Sequence, residues 1–276
     1  MGYPRLLGVV GLLPVLTVLT VLTGATARAQ DSPGSQFFRS NGARIHYIEP
    51  GSGEPVVLLH GNTGSLEQWL ESGVFQDLAQ DYRAIAFDAR AHGKSDKPHD
   101  PSAYGLEVAL DILRLLDHLE IERAHIIGYS MGARVVGSFM ISHPERFLSA
   151  ILGGFAPAWN WSAEDQQGVE SRASSMLTNP SPRLVEGGQD AEALAMNLLG
   201  FSELAVADRD LVAVKIPTLA LVGSEDRNLE RVMTLHTLMP AMKVVIIEGA
   251  THSGAFHRRE FIAEVRSFVA EHGVGN

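Results

Sequence analysis

The feature that most constrains the fold of this chain is a regular alternation between short apolar runs and longer stretches with helical spacing. The apolar runs are short enough for single strands, and they cover residues 55–59, 82–87, 125–127, 150–152, 218–222 and 243–247. Apolar residues recur at helical intervals between and after these runs, at residues 65–80, 104–118, 131–143, 229–239 and 255–272. Strands that are apolar throughout are typical of a parallel sheet covered on both faces. The alternation therefore predicts the α/β class, with a doubly wound, mostly parallel β-sheet.

Two segments depart from this alternation. The sequence FFRSNGARIHYIE alternates around Asn41-Gly42, which is a strong signal for a β-hairpin. Residues 157–214 contain no strand-like run and are predicted to form several helices, separated by NPSP and EGGQD. We interpret residues 157–214 as a helical cap insertion over the carboxyl edge of the sheet. Residues 30–156 and 215–276 then form one core domain.

The first 29 residues have the pattern of a secretory signal peptide. Arg5 precedes an apolar run at residues 6–22, and small residues then lead to Ala27-Arg28-Ala29, an A-x-A cleavage site before Gln30. An uncleaved membrane anchor is the alternative because the run is slightly long for a signal, although Pro14 interrupts it. Since no twin-arginine pair is present, we expect Sec-type export to the periplasm or the exterior. After cleavage we expect no stable membrane association.

The charge balance and the absence of cysteine exclude several classes of protein. Residues 1–29 hold two arginines and no acidic residue, so the mature chain carries a net charge of −12 against −10 for the whole sequence. A surface this acidic argues against nucleic acid or an anionic membrane as a partner. Because the sequence has no cysteine, disulfides, thiol nucleophiles, zinc ribbons and iron–sulfur clusters are excluded.

Ser130 stands between two glycines where an apolar strand runs into a helix. The sequence GYSMG from Gly128 to Gly132 fits the pattern G-x-S-x-G, in which the serine occupies a strained corner and the residues two positions away must lack bulk. A turn that merely needs small residues is the simpler explanation. The strand-like AHIIG before Ser130 and the helical MGARVVGSFMISH after it favour a nucleophile. The backbone N–H of Met131 would then help to stabilise a developing anion.

A nucleophilic serine needs a base, and the base needs an orienting carboxylate. Of the eleven histidines, His252 is best placed because EGATHSG directly follows the last apolar run, although an ordinary loop histidine is an alternative. In LALVGSEDRN the acidic residues Glu225 and Asp226 directly follow the preceding run. We prefer Asp226, and Glu225 stays a candidate. Serine, acid and histidine follow three strands in that order, which favours a triad of Ser130, Asp226 and His252.

On these motifs the sequence resembles the α/β-hydrolase superfamily along almost all of the mature chain. His60-Gly61-Asn62 is similar to the family's H-G-x turn. The resemblance implies that the backbone N–H of Asn62 completes an oxyanion hole with that of Met131. DARAHGKS at residues 88–95 resembles the family's structural loop D-x-R-G-x-G-x-S, with Ala91 where glycine is usual. HPER at residues 143–146 and the position of the insertion resemble members with a helical cap.

Other chemistries fit the sequence less well. Gly93-Lys94-Ser95 is not the end of a phosphate loop, because the position where that motif needs a glycine is Asp88. No HExxH or comparable spacing supports a metal site, and we expect neither a metal nor an organic cofactor. Dehalogenases and epoxide hydrolases resemble this chain in layout, but they use an aspartate as nucleophile, whereas the motif here holds Ser130.

The resemblance implies a serine hydrolase that acts on a small-molecule acyl substrate, with a carboxylic ester as the default. Carbon–carbon bond cleavage, lactone opening, peracid formation and amide cleavage use a similar constellation. A non-catalytic ligand-binding protein on the same fold is a further alternative. Phe155, Trp159, Trp161 and Met196 either line an apolar acyl pocket under the cap or simply pack the cap onto the core.

Overall fold

The computed structural model describes residues 1–2 and 34–275. Apart from its first two residues, the predicted signal segment at residues 1–29 lies outside the described residues, as does the predicted cleavage junction at Gln30. Among the residues that are described, no helix is both long and apolar enough to cross a bilayer.

Eight strands within residues 34–275 form one sheet, in the spatial order β1-β2-β4-β3-β5-β6-β7-β8. In chain order the strands are β1 (Gln36–Ser40), β2 (Ala43–Ile48), β3 (Pro55–Leu59), β4 (Arg83–Phe87), β5 (Ala124–Tyr129), β6 (Phe147–Gly153), β7 (Thr218–Gly223) and β8 (Lys243–Ile247). The β1–β2 and β2–β4 pairs are antiparallel, and every other pair is parallel. The predicted α/β class with a mostly parallel sheet is confirmed.

The central parallel strands are mostly apolar because the sheet has a core on each face, whereas β8 at the edge begins with the exposed Lys243. In β3, Val57 and Leu59 belong to one apolar cluster, whereas Val56 and Leu58 belong to another. Successive side chains of a strand point to opposite faces, so the two clusters lie on opposite sides of the sheet. All residues of β5 and β7 are buried, which is what the short apolar runs predict.

The predicted hairpin joins β1 to β2. Asn41 has φ 42° and Gly42 has φ 85°, so both turn residues occupy the left-handed region. A two-residue turn of this kind matches the twist of the strands on either side, which is why Asn-Gly is its preferred sequence. The register of the pair, with Ser40 opposite Ala43, follows from that turn.

Ten α-helices lie within residues 34–275. They are α1 (Glu67–Ser72), α2 (Val74–Leu78), α3 (Leu106–His118), α4 (Met131–Ser142), α5 (Ala163–Thr178), α6 (Pro182–Glu186), α7 (Ala191–Leu199), α8 (Asp208–Ala213), α9 (Leu229–Leu238) and α10 (Arg259–Glu271). The helices predicted after the strands are present, with ends shifted by up to four residues.

One predicted helix, at residues 65–80, is wrong as a single element. Gly73 has φ 83°, so α1 ends there and α2 begins at the next residue. Glycine reaches this left-handed conformation at little cost, and the N–H of Gly73 donates to the carbonyl of Leu70. A one-residue break does not disturb the apolar spacing on either side, which explains why the periodicity does not reveal it.

The loop at residues 88–95 is tied together by a buried carboxylate. Asp88 accepts hydrogen bonds from the backbone N–H groups of Leu66 and Lys94 and from the ring of His46. Burial raises the pKa of Asp88, but the His46 hydrogen bond, the nearby His60 and these two N–H groups outweigh it and bring the pKa to about 2. Ala91 has φ 71°, so an alanine occupies a conformation that favours glycine.

The segment between β6 and β7 contains α5, α6, α7 and α8, with breaks at NPSP and EGGQD. It holds no strand, although Trp159 and Val206 form one isolated bridge. This helical segment contacts the core at defined points. The side-chain amide of Gln189 donates to the carbonyl of Thr63 at 2.8 Å, and His99 contacts Asp190 at 2.8 Å.

Candidate active site

Ser130 sits at a sharp corner between β5 and α4. Its backbone has φ 54° and ψ −108°, and its N–H donates to the carbonyl of Gly153 at 2.8 Å. A Cβ atom on Gly128 would overlap the carbonyl oxygen of Gly132, and one on Gly132 would overlap that of Leu59. Both glycines are therefore required sterically, and this geometry is the strained corner that the sequence pattern predicts.

Three predicted site residues meet in one chain of hydrogen bonds. The ring of His252 lies 2.7 Å from Asp226 through Nδ1 and 2.9 Å from the hydroxyl of Ser130 through Nε2. A carboxylate can only accept, so Nδ1 carries the proton and donates to Asp226 Oδ2. Nε2 is then the unprotonated nitrogen, and it accepts the hydrogen bond from Ser130 Oγ. This arrangement leaves the imidazole ready to take the serine proton.

The sheet explains why these residues meet. Ser130 follows β5, Asp226 lies three residues after β7, and His252 lies in the loop that follows β8. In a parallel sheet the carboxyl ends of neighbouring strands gather at one edge. The Asp226 side chain is fully buried and also accepts from the backbone N–H of Asn228 at 2.9 Å, whereas the His252 side chain is 30% exposed. The carboxylate is thus fixed and the imidazole stays accessible.

Glu225, the other acidic candidate, points elsewhere. It is exposed, and its backbone N–H donates to the carbonyl of Ala250. Its carboxylate forms no hydrogen bond or ion pair with another described residue. Of the two adjacent acids, the structure brings only Asp226 to His252.

Two residues that contact His252 were not predicted from the sequence. The hydroxyl of Tyr129 donates to the carbonyl oxygen of His252, and burial raises the pKa of this tyrosine. The side-chain amide of Asn228 donates to the carbonyl of Gly154 at 3.0 Å and lies 3.2 Å from His252 Nδ1. Both hold the histidine loop against the core. The only signal for them in the sequence is adjacency, one to Ser130 and the other to Asp226.

Two backbone N–H groups beside Ser130 have no partner in the part of the chain that the structure describes. Asn62 and Met131 line the same cavity as Ser130, and within residues 34–275 neither N–H donates a hydrogen bond. The side-chain oxygen of Asn62 is also buried and has no partner among these residues. Since almost all buried backbone donors in proteins are paired, free N–H groups beside a serine hydroxyl suit an oxyanion. The positions agree with those expected from the HGN turn and the start of α4.

The cavity above Ser130 has a volume of about 240 Å³. Helical-segment and core residues line it together: Asn62, Ser130, Met131, Arg134, Phe155, Arg172, Leu198, Phe201, Arg227, Asn228 and His252. A larger cavity of about 670 Å³ lies elsewhere, around Met140 and Ile216, and contains none of the predicted site residues. The chemistry therefore belongs to the smaller cavity.

Of the four residues suggested for an apolar pocket, one lines this cavity. Phe155 lines the cavity, but Trp159, Trp161 and Met196 do not. The Trp159 ring is buried and lies 4.6 Å from the guanidinium of Arg231, and the indole N–H of Trp161 donates to Gln166. Trp159 thus packs against α9, and the Trp161 ring also lies 5.4 Å from the guanidinium of Arg134 on α4, but neither ring lines the cavity.

Three arginines line the cavity together with the aromatic residues Phe155 and Phe201. Arg134, Arg172 and Arg227 line the cavity, and the sequence analysis did not single out any of them. A signal for two of them was present. Arg134 lies one helical turn after Ser130, which puts both on one face of α4, and Arg227 directly follows Asp226.

Comparison with known proteins identifies the family of this chain. Residues 54–226 match a family model described as alpha/beta hydrolase fold. Over 114 residues, 40% of this chain and 39% of the relative, the sequence is 40% identical to 2-hydroxy-6-oxo-6-phenylhexa-2,4-dienoate hydrolase of Comamonas testosteroni. The matches to this and two other curated relatives span 34–43% of the relatives' own lengths.

Solved structures resemble nearly the whole described fold. A thermophilic esterase from Thermogutta terrifontis has a TM-score of 0.76 at 22% identity, over 87% of this chain and 99% of the esterase. An enol-lactonase from Burkholderia xenovorans LB400 has a TM-score of 0.73 at 22% identity, over 85% of this chain and 100% of the lactonase. At this level of identity the likeness concerns the fold.

Proposed function

The chain belongs to the α/β-hydrolase fold family, and we propose that it is a serine hydrolase that cleaves a small-molecule carboxylic ester. The observation that carries the proposal is the continuous hydrogen-bond chain from Ser130 through His252 to the buried Asp226. A strained serine, an imidazole of defined tautomer and two free N–H groups at one cavity are the parts that acyl transfer needs.

In the proposed first half-reaction, Ser130 Oγ attacks the ester carbonyl carbon while His252 Nε2 takes the hydroxyl proton. The carbonyl oxygen becomes an oxyanion and accepts hydrogen bonds from the N–H groups of Asn62 and Met131. Asp226 stabilises the imidazolium through its bond to Nδ1 without taking the proton. When the intermediate collapses, the bond to the alcohol oxygen breaks and His252 returns the proton to that oxygen. The product is an acyl-enzyme and a free alcohol.

The second half-reaction repeats these roles with water. His252 takes a proton from a water molecule, whose oxygen attacks the acyl carbon and regenerates an oxyanion at the Asn62 and Met131 amides. Collapse breaks the bond to Ser130 Oγ, which receives the proton from His252. The carboxylic acid leaves, and the resting hydrogen-bond chain is restored.

Cleavage of a carbon–carbon bond or of a lactone is the second candidate. The curated relative from Comamonas testosteroni, whose name denotes a dienoate hydrolase, is 40% identical over its matched segment. The same nucleophile, base and N–H groups serve this chemistry, because a carbonyl carbon is again the electrophile. The leaving group is then a carbanion equivalent or a ring alkoxide instead of a free alcohol.

The test is hydrolysis of p-nitrophenyl esters from acetate to palmitate by the chain without residues 1–29. We expect turnover that is greatest for short acyl chains, because the cavity is small, and a loss of at least ~10⁴-fold in Ser130→Ala. Ser142→Ala is the matched control, since this exposed serine lies on the same helix and its hydroxyl bonds only local groups.

Each outcome of this test has a defined meaning. Equal turnover by Ser130→Ala would rule out the proposed mechanism. Absence of turnover on every ester, together with turnover of a lactone or a vinylogous diketone that depends on Ser130, would select the second candidate. A folded protein that neither turns over any of these compounds nor reacts with a fluorophosphonate at Ser130 would be a binding protein.

A further inference from the structure

Arg134 is a buried cation whose guanidinium has no hydrogen-bond partner among the described residues. It lies on α4 one turn after Ser130 and lines the same cavity, yet its side chain is only 8% exposed. Its Nη1 is completely buried, and no N–H of its guanidinium donates to another residue within 34–275. Burial of a charge without an ion pair or hydrogen bonds costs several kcal/mol of desolvation free energy. Such a charge in a folded protein therefore indicates a functional role.

Aromatic rings account for part of this environment but leave the N–H groups free. The guanidinium carbon lies 4.7 Å from the ring centre of Phe201, 4.8 Å from that of Phe155 and 5.4 Å from that of Trp161. These rings attract the cation electrostatically. They offer no oxygen or nitrogen acceptor, so the hydrogen-bonding capacity of the guanidinium is still unused.

The charges around Arg134 are predominantly of the same sign. Arg172 from α5 and Arg227 from the loop after β7 line the cavity too, and neither forms an ion pair with a carboxylate among the described residues. Burial lowers the pKa of Arg134 to about 9, and Arg231 and Arg172 contribute to the decrease, so the group stays cationic at neutral pH.

The acidic residue that acts on the pKa of Arg134 is already engaged. Asp165 raises the pKa of Arg134 slightly, but its carboxylate accepts hydrogen bonds from the backbone and the hydroxyl of Ser162 and forms no ion pair within the described residues. No acidic residue is among those that line the cavity. A chain with a net charge of −10 thus keeps a positive cavity beside its nucleophile.

We infer that Arg134, together with the exposed Arg172 and Arg227, binds a carboxylate group of the substrate, so that the scissile acyl compound carries a second, anionic end. The inference rests on the proposed function and specifies its substrate class. A planar guanidinium matches a carboxylate through two parallel hydrogen bonds. A cavity of about 240 Å³ that also holds the reacting carbonyl suits a small acid better than a long acyl chain.

Catalysis tests the inference with matched esters. Monophenyl glutarate and phenyl 5-methylhexanoate differ only in that a carboxylate replaces an isopropyl group, and 4-acetoxybenzoate and 4-isopropylphenyl acetate make the same comparison on the alcohol side. We expect kcat/KM to favour the anionic member of at least one pair by 10-fold or more. The preference should collapse in Arg134→Met and weaken in Arg172→Gln. Arg209→Gln, which removes an exposed arginine of α8 outside the cavity, is the charge control.

Binding tests it independently of turnover. Glutarate is titrated into Ser130→Ala by calorimetry, with pentanamide as the neutral comparison and inorganic phosphate as a second anion. We expect saturable binding of glutarate that is at least 10-fold weaker when Arg134→Met is added. If Arg134→Met prevents folding, Arg172→Gln is added to Ser130→Ala instead, and we expect weaker glutarate binding in that double variant as well.

The two experiments separate the failure of this inference from the failure of the proposed function. Ser130-dependent turnover of neutral esters without glutarate binding would overturn the inference and leave the function intact. Glutarate binding that depends on Arg134 in a protein that cleaves no ester would support the inference and overturn the ester assignment. Phosphate that binds as tightly as glutarate would contradict the assignment to a carboxylate.

Discussion

At the scale of single residues, the bond from His252 to Asp226 decides which imidazole nitrogen accepts a proton. An amide in place of the carboxylate can donate to Nδ1, which would move the ring proton to Nε2 and leave Ser130 without an acceptor. The adjacent Glu225 is exposed and does not contact the ring. The two neighbouring acids therefore form a matched pair for a test.

We expect Asp226→Asn to lower kcat by about 10⁴-fold while leaving the fold intact, because the tautomer is reversed. Glu225→Gln should keep nearly full activity, since its carboxylate touches neither His252 nor Ser130. Steady-state kinetics with circular dichroism on both variants checks this. A comparable loss in Glu225→Gln, or little loss in Asp226→Asn, would remove Asp226 from the triad.

A second prediction at this scale concerns His92, whose Nε2 is buried and has no partner in the described part of the chain. Burial lowers the pKa of His92 to about 3, and His60 adds to the decrease. The unfolded chain takes up this proton near pH 6.5 and the folded chain does not. The contribution of the neutral His92 ring to the free energy of unfolding is therefore complete above pH 6.5. It is lost progressively as the pH falls toward 3.

His92→Asn keeps a donor for the Arg90 carbonyl but removes the titrating ring. We expect the loss of unfolding free energy between pH 7 and pH 4.5 to shrink by roughly 1–3 kcal/mol in this variant. Urea denaturation at both pH values measures it, with the exposed His257→Asn as control. An unchanged difference in His92→Asn would contradict the prediction.

At the scale of elements, the corner between β5 and α4 depends on close backbone contact. A Cβ on Gly132 would overlap the carbonyl oxygen of Leu59, which cannot move without distorting β3. Gly168, in the middle of α5, is different because no atom of the described residues lies within 4 Å of a Cβ placed there. The same substitution should thus have opposite effects at these two helical positions.

We expect Gly132→Ala to destabilise the protein by about 1–3 kcal/mol and to displace Ser130 enough to abolish most turnover. Gly168→Ala should stabilise it by about 0.5–1 kcal/mol, because alanine favours the helix and meets no neighbour. Denaturant midpoints and ester hydrolysis measure both effects. Tolerance of Gly132→Ala would mean that the corner is less tightly packed than its geometry indicates.

Most of the secondary-structure elements could be predicted from the sequence. Burial on both faces makes a central parallel strand mostly apolar, and even the edge strand β8 keeps a run of four apolar residues, so the six parallel strands could be located within a few residues. The Ser130 corner could also be recognised, because its steric demand requires glycines two positions before and after the serine. The order of the acid and the base after their strands is likewise visible in the sequence. The break at Gly73 is not, because apolar spacing continues across it.

The lining of the cavity could not be predicted because it depends on tertiary placement. Trp159 turns toward Arg231, and Arg172 approaches Ser130 only because α5 is folded over the sheet. From sequence alone, a tryptophan is expected to line an apolar pocket and an arginine is expected to be exposed to solvent. Only the tertiary packing shows where each side chain lies. The nature of the substrate site was therefore the part that most needed the structure.

At the scale of the whole molecule, the predicted export remains a proposal that concerns residues 1–29. We propose that these residues direct Sec-type secretion and that cleavage before Gln30 releases the mature chain. Expression of the full chain in a bacterial host, followed by fractionation and intact-mass measurement, tests this. We expect an exported product that starts at Gln30, and Ala27→Lys should block the cleavage. A full-length product in the membrane fraction would support the anchor instead.

The unpaired cation of Arg134 has a consequence for how the substrate can be found. A ligand that binds only the folded chain stabilises it by about 2.7 kcal/mol at a hundredfold excess over Kd. In a protein of this size, that corresponds to a rise of roughly 5–10 °C in Tm. Because an anion would also relieve the desolvation penalty of the buried guanidinium, small acids can be ranked by thermal shift before any reaction has been observed. The protein's own melting curve thus becomes an assay for its substrate.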